Sequence, residues 1–280
     1  MGQPTSQARA LGSNDLILSH FSLLGLEDFE RRVAAAATAG FTGIGLFLGD
    51  YQLLRGQGRD DAWFEQILEQ HQLCLAEIEV LMDWCPLQER GRHQLELACH
   101  LGERFGARHV AAIGPVAGSA ADASKAFATL CDAAREVGLD VALEHLPFTN
   151  IESLAAALAI IEGADRTNGG LCLDTWHHFR GRVEWDVLAV LPAERIKSIQ
   201  LNDGPSEPVS ADYYRDTVRH RMIPGTGSFD LSRFLKSVRR QGYAGPVSVE
   251  VLSEDLWELP PERVCMELAV ATRELLTAQT

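Results

Sequence analysis

The sequence has little positive charge and no long apolar run. It contains 25 Lys and Arg residues against 39 Asp and Glu residues, which gives a formal net charge of −14 at pH 7. A chain this acidic repels phosphate backbones and anionic lipid, so we expect neither nucleic acid nor a membrane as a partner. The longest uncharged run, Val33 to Gly49, is interrupted by glycines, whereas a transmembrane helix needs ~20 mainly apolar residues. The sequence therefore predicts no membrane-spanning helix.

Signals of secretion and of structural zinc are also missing. Residues 1–14 are polar, include Arg9 and contain no apolar segment, so the sequence predicts no secretory signal, a flexible N-terminal tail and a cytoplasmic protein. The 6 cysteines contain no Cys-x-x-Cys pair, which argues against a zinc ribbon or a thioredoxin-type site. Most of them lie in apolar stretches, which is typical of buried thiols.

Several catalytic signatures are absent as well. No strand is followed by Gly-x-Gly-x-x-Gly, and neither the P-loop pattern nor Gly-x-Ser-x-Gly occurs. No lysine ends a predicted strand, which disfavours an aldolase of the Schiff-base type. Dinucleotide binding, P-loop chemistry and serine hydrolysis are thus left without support.

The fold signal is an alternation of short β-rich runs with longer amphipathic stretches. Strand starts recur every ~25 to 35 residues, the size of a βα unit, except where residues 203–228 are inserted before the last helix–strand pair. Eight such units without a low-complexity linker predict an α/β protein, a single-domain (β/α)8 TIM barrel over residues 15–280. The predicted strands are Ile17–Phe21, Gly43–Leu48, Leu73–Val80, His109–Ile113, Asp140–Glu144, Leu171–Thr175, Ile196–Leu201 and Val247–Leu252.

Four of these strands end in oxygen-bearing side chains. The fifth, sixth and eighth end in Glu144, Asp174 and Glu250, and the seventh runs through residues 200–203, Gln-Leu-Asn-Asp. Active sites of such barrels are built at the carboxyl ends of the strands, and an isolated buried carboxylate costs several kcal/mol unless it is paired or binds a metal. Three carboxylates and an amide form a hard, anionic set that suits Mn²⁺ or Mg²⁺ rather than Zn²⁺. Each residue alone can instead cap a helix or pair with an arginine at the rim.

Two further residues fall where a substrate would lie. His177, three residues after Asp174, can donate to a hydroxyl or carbonyl, or else pack under Trp176 as a structural side chain. Arg221 opens a glycine-rich segment, residues 221–227, where tight turns are possible and a guanidinium can hold an anion or a pair of hydroxyls. The alternative for Arg221 is a surface salt bridge.

The early strands are less informative. His20 and Trp84 end the first and third strands and are candidates for the substrate pocket, although either suits the core as well. Glu77 and Glu79 share one face of the third strand, and alternation alone does not say whether that face is the barrel lumen or the helix layer.

Together these features resemble the xylose-isomerase-like TIM-barrel superfamily, the sugar phosphate isomerase/epimerase group, over nearly the whole chain. The matching pieces are Glu144, Asp174 with His177, Gln200 followed by Asn202-Asp203, the Arg221–Gly227 loop, and Glu250. The resemblance implies one divalent metal bound by Glu144, Asp174, Gln200 and Glu250. It also implies that the two glutamates transfer protons while His177 and Arg221 orient the substrate.

The sequence departs from most isomerases and epimerases of that superfamily at Gln200, where they have His. Bacterial 3-dehydroshikimate dehydratases of this fold are similar in having Gln there and in an Arg-His-x-Arg loop like residues 219–227. That branch usually continues after its last Glu with an aromatic residue and Asn-Asp, whereas this chain has Val-Leu-Ser-Glu at residues 251–254. We therefore expect an isomerase or epimerase of a small polyhydroxy carbonyl compound, with a metal-dependent dehydratase as the alternative.

Metal-assisted enolisation unifies the two reactions. The cation polarises a carbonyl or hydroxyl while a glutamate removes the neighbouring carbon-bound proton, and the fate of the enediolate separates isomerisation from dehydration. An apurinic-site endonuclease would need several metal-binding histidines and a surface that tolerates DNA, so it ranks low. A non-catalytic binding protein also ranks below an enzyme, and a homo-oligomer is possible.

Overall fold

The structure is a computed structural model that describes residues 10–278 and contains a closed barrel of parallel strands. Neighbours in the barrel follow chain order, and the first strand pairs with the last to close it. This confirms the predicted (β/α)8 barrel; of the predicted N-terminal tail, residues 1–9 lie outside the described residues. The strands are β1 (Leu16–Leu18), β2 (Gly43–Phe47), β3 (Cys74–Leu81), β4 (His109–Ile113), β5 (Asp140–Glu144), β6 (Gly169–Asp174), β7 (Ile196–Leu201) and β8 (Val247–Val249).

Helices surround the barrel and also crowd its carboxyl end. The amphipathic stretches between the strands form helices, as the alternation predicts. Four further short helices, at Leu48–Gly56, Thr175–Arg180, Tyr213–Arg219 and Glu254–Trp257, were not predicted, because segments of 4 to 9 residues show little periodicity. The helices are α1 (Phe29–Thr38), α2 (Leu48–Gly56), α3 (Asp61–His71), α4 (Glu89–Phe105), α5 (Ala120–Arg135), α6 (Leu154–Ala164), α7 (Thr175–Arg180), α8 (Trp185–Val190), α9 (Tyr213–Arg219), α10 (Leu231–Arg240), α11 (Glu254–Trp257) and α12 (Pro261–Thr277).

Two strands, β1 and β8, end three residues earlier than predicted. After β1 the chain turns into a 3-10 helix at His20–Leu23, and after β8 it leaves the regular ladder at Glu250. Both changes occur at the carboxyl end of the barrel, where polar side chains replace the apolar ladder residues. Among the described residues, every helix falls short of the length and apolarity that crossing a membrane requires.

The lumen contains a polar layer. Glu77 and Glu79 of β3 both point inward, and Glu77 accepts hydrogen bonds from Ser198 of β7 (3.2 Å) and Ser248 of β8 (2.8 Å). Gly45 of β2 leaves room for Glu79, because a Cβ at that position would collide with its carboxylate. The face that alternation left open is therefore the lumen.

Candidate active site

Strand register sets the positions of the acidic side chains. Glu144 lies beside Cys172 on the neighbouring strand, and Asp174 lies beside Gln200. Cys172 and Asp174 are two residues apart, so they share one face, and that face is the lumen. Glu250 continues β8 by a backbone hydrogen bond, its N–H donating to the Leu201 carbonyl at 3.0 Å. The ends of β5 to β8 thus bring the predicted metal ligands to one mouth of the barrel.

Arg221 lies between two of these carboxylates. Its Nη1 is 2.8 Å from Asp174 Oδ2 and 2.9 Å from Glu250 Oε2, and its Nε donates to the Thr217 carbonyl at 3.0 Å. Burial alone would lower the pKa of Arg221, but Asp174 and Glu250 raise it above its usual value. Arg221 is only 4% exposed, so it forms a buried ion pair and not the surface salt bridge considered for this residue.

His177 joins the other side of the cluster. Its Nε2 is 3.4 Å from Glu144 Oε1 and 3.6 Å from Asp174 Oδ2, and its Nδ1 is 3.5 Å from the Tyr213 hydroxyl. Burial lowers the pKa of His177 to about 3, so the ring is neutral near pH 7. A neutral ring that faces carboxylates through Nε2 carries its proton there, which leaves Nδ1 to accept from the tyrosine.

The two glutamates and Asp174 differ in acidity. Burial, and then the charges of Glu250 and Asp174, raise the pKa of Glu144 well above its usual range. Burial also raises the pKa of Glu250 to about 7. Asp174 is buried too, yet the Arg221 guanidinium holds its pKa below the usual value, helped by a 2.6 Å hydrogen bond from Asn202 Nδ2. The site therefore combines one firmly ionised carboxylate with two that can carry protons.

Gln200 makes two hydrogen bonds. Its Nε2 donates to Glu250 Oε1 at 2.9 Å, while its Oε1 accepts from Cys172 Sγ at 3.1 Å. A rotation of the carboxamide by a half-turn would bring the oxygen to the side of Glu250. The structure thus places Gln200 next to the predicted ligands, with its nitrogen rather than its oxygen toward them.

The donor set fits a divalent cation. Ligand atoms of Glu144, Asp174 and His177 all lie within 4.8 Å of one another, and all three residues are buried. With Glu250, three buried carboxylates face a single guanidinium, so full ionisation would leave two negative charges without a partner. Buried charge of that kind is expensive unless a cation neutralises it. This cluster contains His177, which the resemblance gave a substrate-orienting role.

Ser19 connects the mouth with the lumen. Its hydroxyl lies 3.1 Å from Glu79 Oε2 and 3.1 Å from Glu250 Oε1, and one hydroxyl proton can serve only one of them. Glu250 also accepts from a guanidinium and an amide, whereas Glu79 accepts only a backbone N–H, on Oε1. Burial and then neighbouring carboxylates raise the pKa of Glu79 well above its usual range. The raised pKa of Glu79 favours its protonated form, in which Glu79 can donate to Ser19 while Ser19 donates to Glu250.

The loop that carries the arginine is organised by Asp203. One oxygen of Asp203 accepts from the N–H groups of Gly225 (3.0 Å) and Gly227 (2.9 Å), and the other accepts from Gly204 (2.8 Å) and Phe229 (3.0 Å). Gly225 has φ +86°, and a Cβ at Gly227 would collide with the carboxylate, so the glycines are required. In the sequence, Asp203 stands out only as part of the polar pair Asn202-Asp203. Its role as acceptor for four backbone N–H groups produces no recognisable sequence pattern.

A cavity of about 480 Å³ opens above the cluster. Its polar floor is formed by Glu144, His177, Arg221 and Glu250, with Thr217, Tyr214 and Arg219 nearby. The remaining lining is apolar: Phe21, Leu24, Phe47, Val80, Met82, Ile113, Leu146, Phe148, Val218, Leu252 and Trp257. A small molecule in this cavity would meet reactive groups at one end and hydrocarbon over the rest.

The two candidate pocket residues from the early strands lie elsewhere. His20 is buried, its Nε2 is 3.1 Å from Asp50 Oδ2, and its ring packs on Phe21 and Phe47. Trp84 donates from Nε1 to the Ile113 carbonyl at 2.8 Å. Neither side chain is part of the cavity lining described above. Their predicted substrate contacts remain predictions.

A closed parallel barrel with an acidic cluster at the ends of β5 to β8 defines a TIM-barrel protein with a site for small molecules. The sequence profile of the xylose isomerase-like TIM barrel family matches residues 33–274. The chain belongs to this family, which confirms the resemblance drawn from the motifs.

Known relatives include enzymes of two reaction types. A 3-dehydroshikimate dehydratase of Pseudomonas aeruginosa is 29% identical over 274 residues, covering 89% of this chain and 41% of that protein. An inosose isomerase of Halalkalibacterium halodurans is 27% identical over 150 residues, covering 53% of this chain and 52% of that protein. The chain thus spans about half or less of the length of these relatives. A crystal structure of the IolI protein with a bound zinc atom superposes with a TM-score of 0.85 at 18% identity, over 95% of this chain and 99% of that one.

Proposed function

We propose that the protein enolises a small hydroxy-carbonyl compound and so isomerises or epimerises it. The observation that carries this proposal is that two buried carboxylates, Glu144 from β5 and Glu250 from the end of β8, border the same cavity. A carboxylate within reach of a carbon-bound proton can act as a general base, and its acid form can return a proton. Two such groups around one substrate provide one carboxylate to remove a proton and a second to return it.

We further propose that Glu144, Asp174, Gln200 and Glu250 hold one divalent cation through oxygen, with Mn²⁺ or Mg²⁺ as the best match. When bound, such an ion supplies Lewis-acid polarisation of a carbonyl oxygen. His177 lies within the same cluster, and an imidazole ligand would instead favour zinc. The metal and the ligand set can therefore be tested together.

The protein's own groups perform the proton transfers. An ionised glutamate takes the proton from the carbon beside the carbonyl, and the electron pair of that C–H bond shifts into the C–C bond while the carbonyl oxygen gains negative charge. The other glutamate, protonated, returns a proton to a different carbon or to the opposite face. Arg221 and the Nε2–H of His177 lie at the floor, where they can hold substrate oxygens.

Dehydration is the second candidate, and two observations favour it. The dehydratase relative aligns over 89% of the chain. In the site, the protonated form of Glu144 can pass a proton to a departing β-hydroxyl, and the Nε2–H of His177, 3.4 Å from Glu144 Oε1, can hold that hydroxyl by a hydrogen bond. Loss of that hydroxyl from the same enolised substrate, as water, gives the dehydrated product.

One experiment separates the two candidates. Ketohexoses, ketopentoses, inososes and 3-dehydroshikimate are incubated with the Mn²⁺-loaded protein in D₂O and followed by mass spectrometry and ultraviolet absorbance. Isomerisation leaves the mass within a deuteron or two of the starting compound, whereas dehydration removes a water and creates a conjugated chromophore. Glu250→Gln, which keeps an oxygen ligand but cannot take a proton, should abolish either reaction. Failure of every hydroxy-ketone to exchange hydrogen would refute the enolisation proposal.

We also propose a cytoplasmic location and a small-molecule substrate as the only ligand class besides the metal. All six cysteines are free thiols, as is usual for proteins of a reducing compartment. The net charge of −14 opposes binding to nucleic acid. A homo-oligomer remains a prediction, to be tested by light scattering.

A further inference from the structure

The cavity has an apolar side and a side with ionisable residues. The carboxyl ends of β1 to β4 and the segments that follow them contribute Phe21, Leu24, Phe47, Val80, Met82 and Ile113, and none of these side chains can form a strong hydrogen bond. All the ionisable lining residues come instead from the end of β5 and the segments after β6, β7 and β8. A substrate that enolises over the carboxylates therefore extends its far end against hydrocarbon.

The opening of the cavity is also lined by large, mainly apolar side chains. Leu24, Phe148 and Tyr214 are among the large side chains that remain exposed, at 40%, 41% and 59%, and all three line the cavity. The Phe148 ring packs against His177 and Tyr214 at centroid distances of 6.2 and 5.6 Å. Exposed apolar groups gathered around an opening are typical of a binding site for an apolar surface.

The charged groups of the floor contact one another and serve the reacting end of a substrate. Arg221 binds Asp174, Glu250 and the Thr217 carbonyl, and His177 faces Glu144. Arg219, at the rim, pairs with Glu254 at 3.1 Å. Few side-chain partners are left for hydroxyls that lie away from the reacting carbons. A hydrophobic pocket disfavours an otherwise equal ligand that carries an added hydroxyl by about 10²-fold.

We propose that the preferred substrate is a hydroxy-carbonyl compound whose oxygens are confined to the carbons at the carboxylates and whose remainder is a hydrocarbon ring or branched chain. This inference rests on the proposed enolisation and narrows its substrate class. Polyhydroxylated rings and chains of similar size are then poorer substrates.

The test compares two six-membered cyclic hydroxy-ketones, 2-hydroxycyclohexanone and an inosose, which differ in their distal hydroxyls. Hydrogen exchange in D₂O gives kcat/KM for each with the Mn²⁺-loaded protein. Ligand-observed NMR competition gives their relative affinity without turnover, with and without Mn²⁺. We expect both measures to favour 2-hydroxycyclohexanone by at least about tenfold, in line with the cost of unpartnered hydroxyls.

Two variants test whether a preference for 2-hydroxycyclohexanone depends on the apolar lining of the cavity. Met82→Gln places an amide of similar size in the lining and should reduce the preference several-fold. Met266→Gln, on the outer face of α12 where Met266 is 42% exposed, is the matched control and should leave it unchanged.

A preference for the inosose in both measures would overturn the inference while the enolisation proposal stands. Absence of exchange with either compound would count against enolisation. In that case the ratio of the two affinities, and its change in Met82→Gln, still decide whether the apolar lining of the cavity favours the compound without distal hydroxyls.

Discussion

Arg221 and Asp174 form an ion pair that is closed off from solvent, with Nη1 2.8 Å from Oδ2 and side-chain exposures of 3% and 0%. The same nitrogen also binds Glu250, so one cation serves two carboxylates. Removal of one member of a buried pair costs more than the pair contributes, because the remaining charge has lost both water and partner.

We therefore expect Arg221→Met to lower the free energy of unfolding by about 3–5 kcal/mol at neutral pH. Urea unfolding measures this, and Mn²⁺ should restore more stability to the variant than it adds to the wild type. The control is Arg263→Met, which removes an exposed pair with Glu267 and should cost less than about 1 kcal/mol. Equal losses in the two variants would show that burial of Arg221 does not matter.

Metal binding should depend on Asp174. We expect one Mn²⁺ per chain in calorimetric titration of chelator-treated protein, and a stabilisation of about 2.7 kcal/mol when free metal exceeds Kd by 100-fold. Asp174→Asn should weaken binding at least tenfold, since it removes the firmly ionised ligand. Asp132→Asn, which alters the ion pairs that Asp132 of α5 forms with Arg135 and Arg166 far from the site, should bind as the wild type does. A wild-type titration without a stoichiometric site would remove the basis for the metal.

The proton assigned to Glu79 can be observed directly. Glu79→Gln supplies an N–H donor in place of the O–H donor to Ser19, so stability should change by less than about 1 kcal/mol. Glu79→Leu has no donor and should reduce the kcat of hydrogen exchange more than KM changes. The infrared spectrum of Glu79→Gln should lack the carbonyl band of one protonated carboxylic acid that the wild-type spectrum contains, so the difference spectrum should show that band. An unchanged band in the Glu79 variant would assign the proton elsewhere.

Asp203 should be important despite its distance from the reaction. Asp203→Ala leaves four backbone N–H groups without their acceptor, and the one of Gly204 is buried, where a donor without a partner costs about 1–3 kcal/mol. We expect a clear loss of stability together with a fall in activity, because the loop positions Arg221. Asp230→Ala removes a helix-capping carboxylate that accepts one exposed N–H and should cost about 1 kcal/mol. Comparison of the two by thermal unfolding and by exchange rate checks the difference.

His178 gives the protein a predictable response to acid. Burial lowers the pKa of His178 to about 4, below the unfolded value of 6.5, and its Nε2 is buried without a partner. Protonation therefore favours the unfolded chain, so this contribution to stability is complete above pH 6.5 and is lost as pH falls toward 4, by about 1.4 kcal/mol per pH unit.

His178→Phe keeps a ring among Phe179, Trp185 and Phe234 and removes the titration. We expect the stability difference between variant and wild type to grow in favour of the variant between pH 7 and pH 5. The free energy of unfolding in urea at both values measures it. A difference that does not change with pH would show that the ring is not neutral in the native state.

Much of the architecture was predictable because its signals are local. Alternating strand and helix patterns indicate βα units, and a carboxylate that ends an apolar run, such as Glu144 or Asp174, can be seen within a few residues. The pairing of Arg221 with Asp174 spans 47 residues, and only the closed barrel brings them together. The inward direction of Glu79 was equally out of reach, since it depends on the space that Gly45 leaves on the neighbouring strand.

The sequence predicted which residues belong to the site better than it predicted what each residue does there. The sequence suggested Gln200 as an oxygen ligand and His177 as a substrate contact, while the structure turns the amide nitrogen toward Glu250 and sets the imidazole among the acidic groups. Side-chain rotation is decided by neighbours such as Cys172, which lie on other strands.

The hydrogen bonds that Glu77 accepts from Ser198 and Ser248 join β3 to β7 and β8 across the barrel. A fragment ending after β4 would contain the acid without either donor, and a fragment starting at β5 would contain both serines without their acceptor. Half-barrels of this chain should therefore be poor autonomous folding units, although each has four complete strands. A chimera of two relatives would fold well only if its first half supplied the acid of β3 and its second half supplied the hydroxyls of β7 and β8.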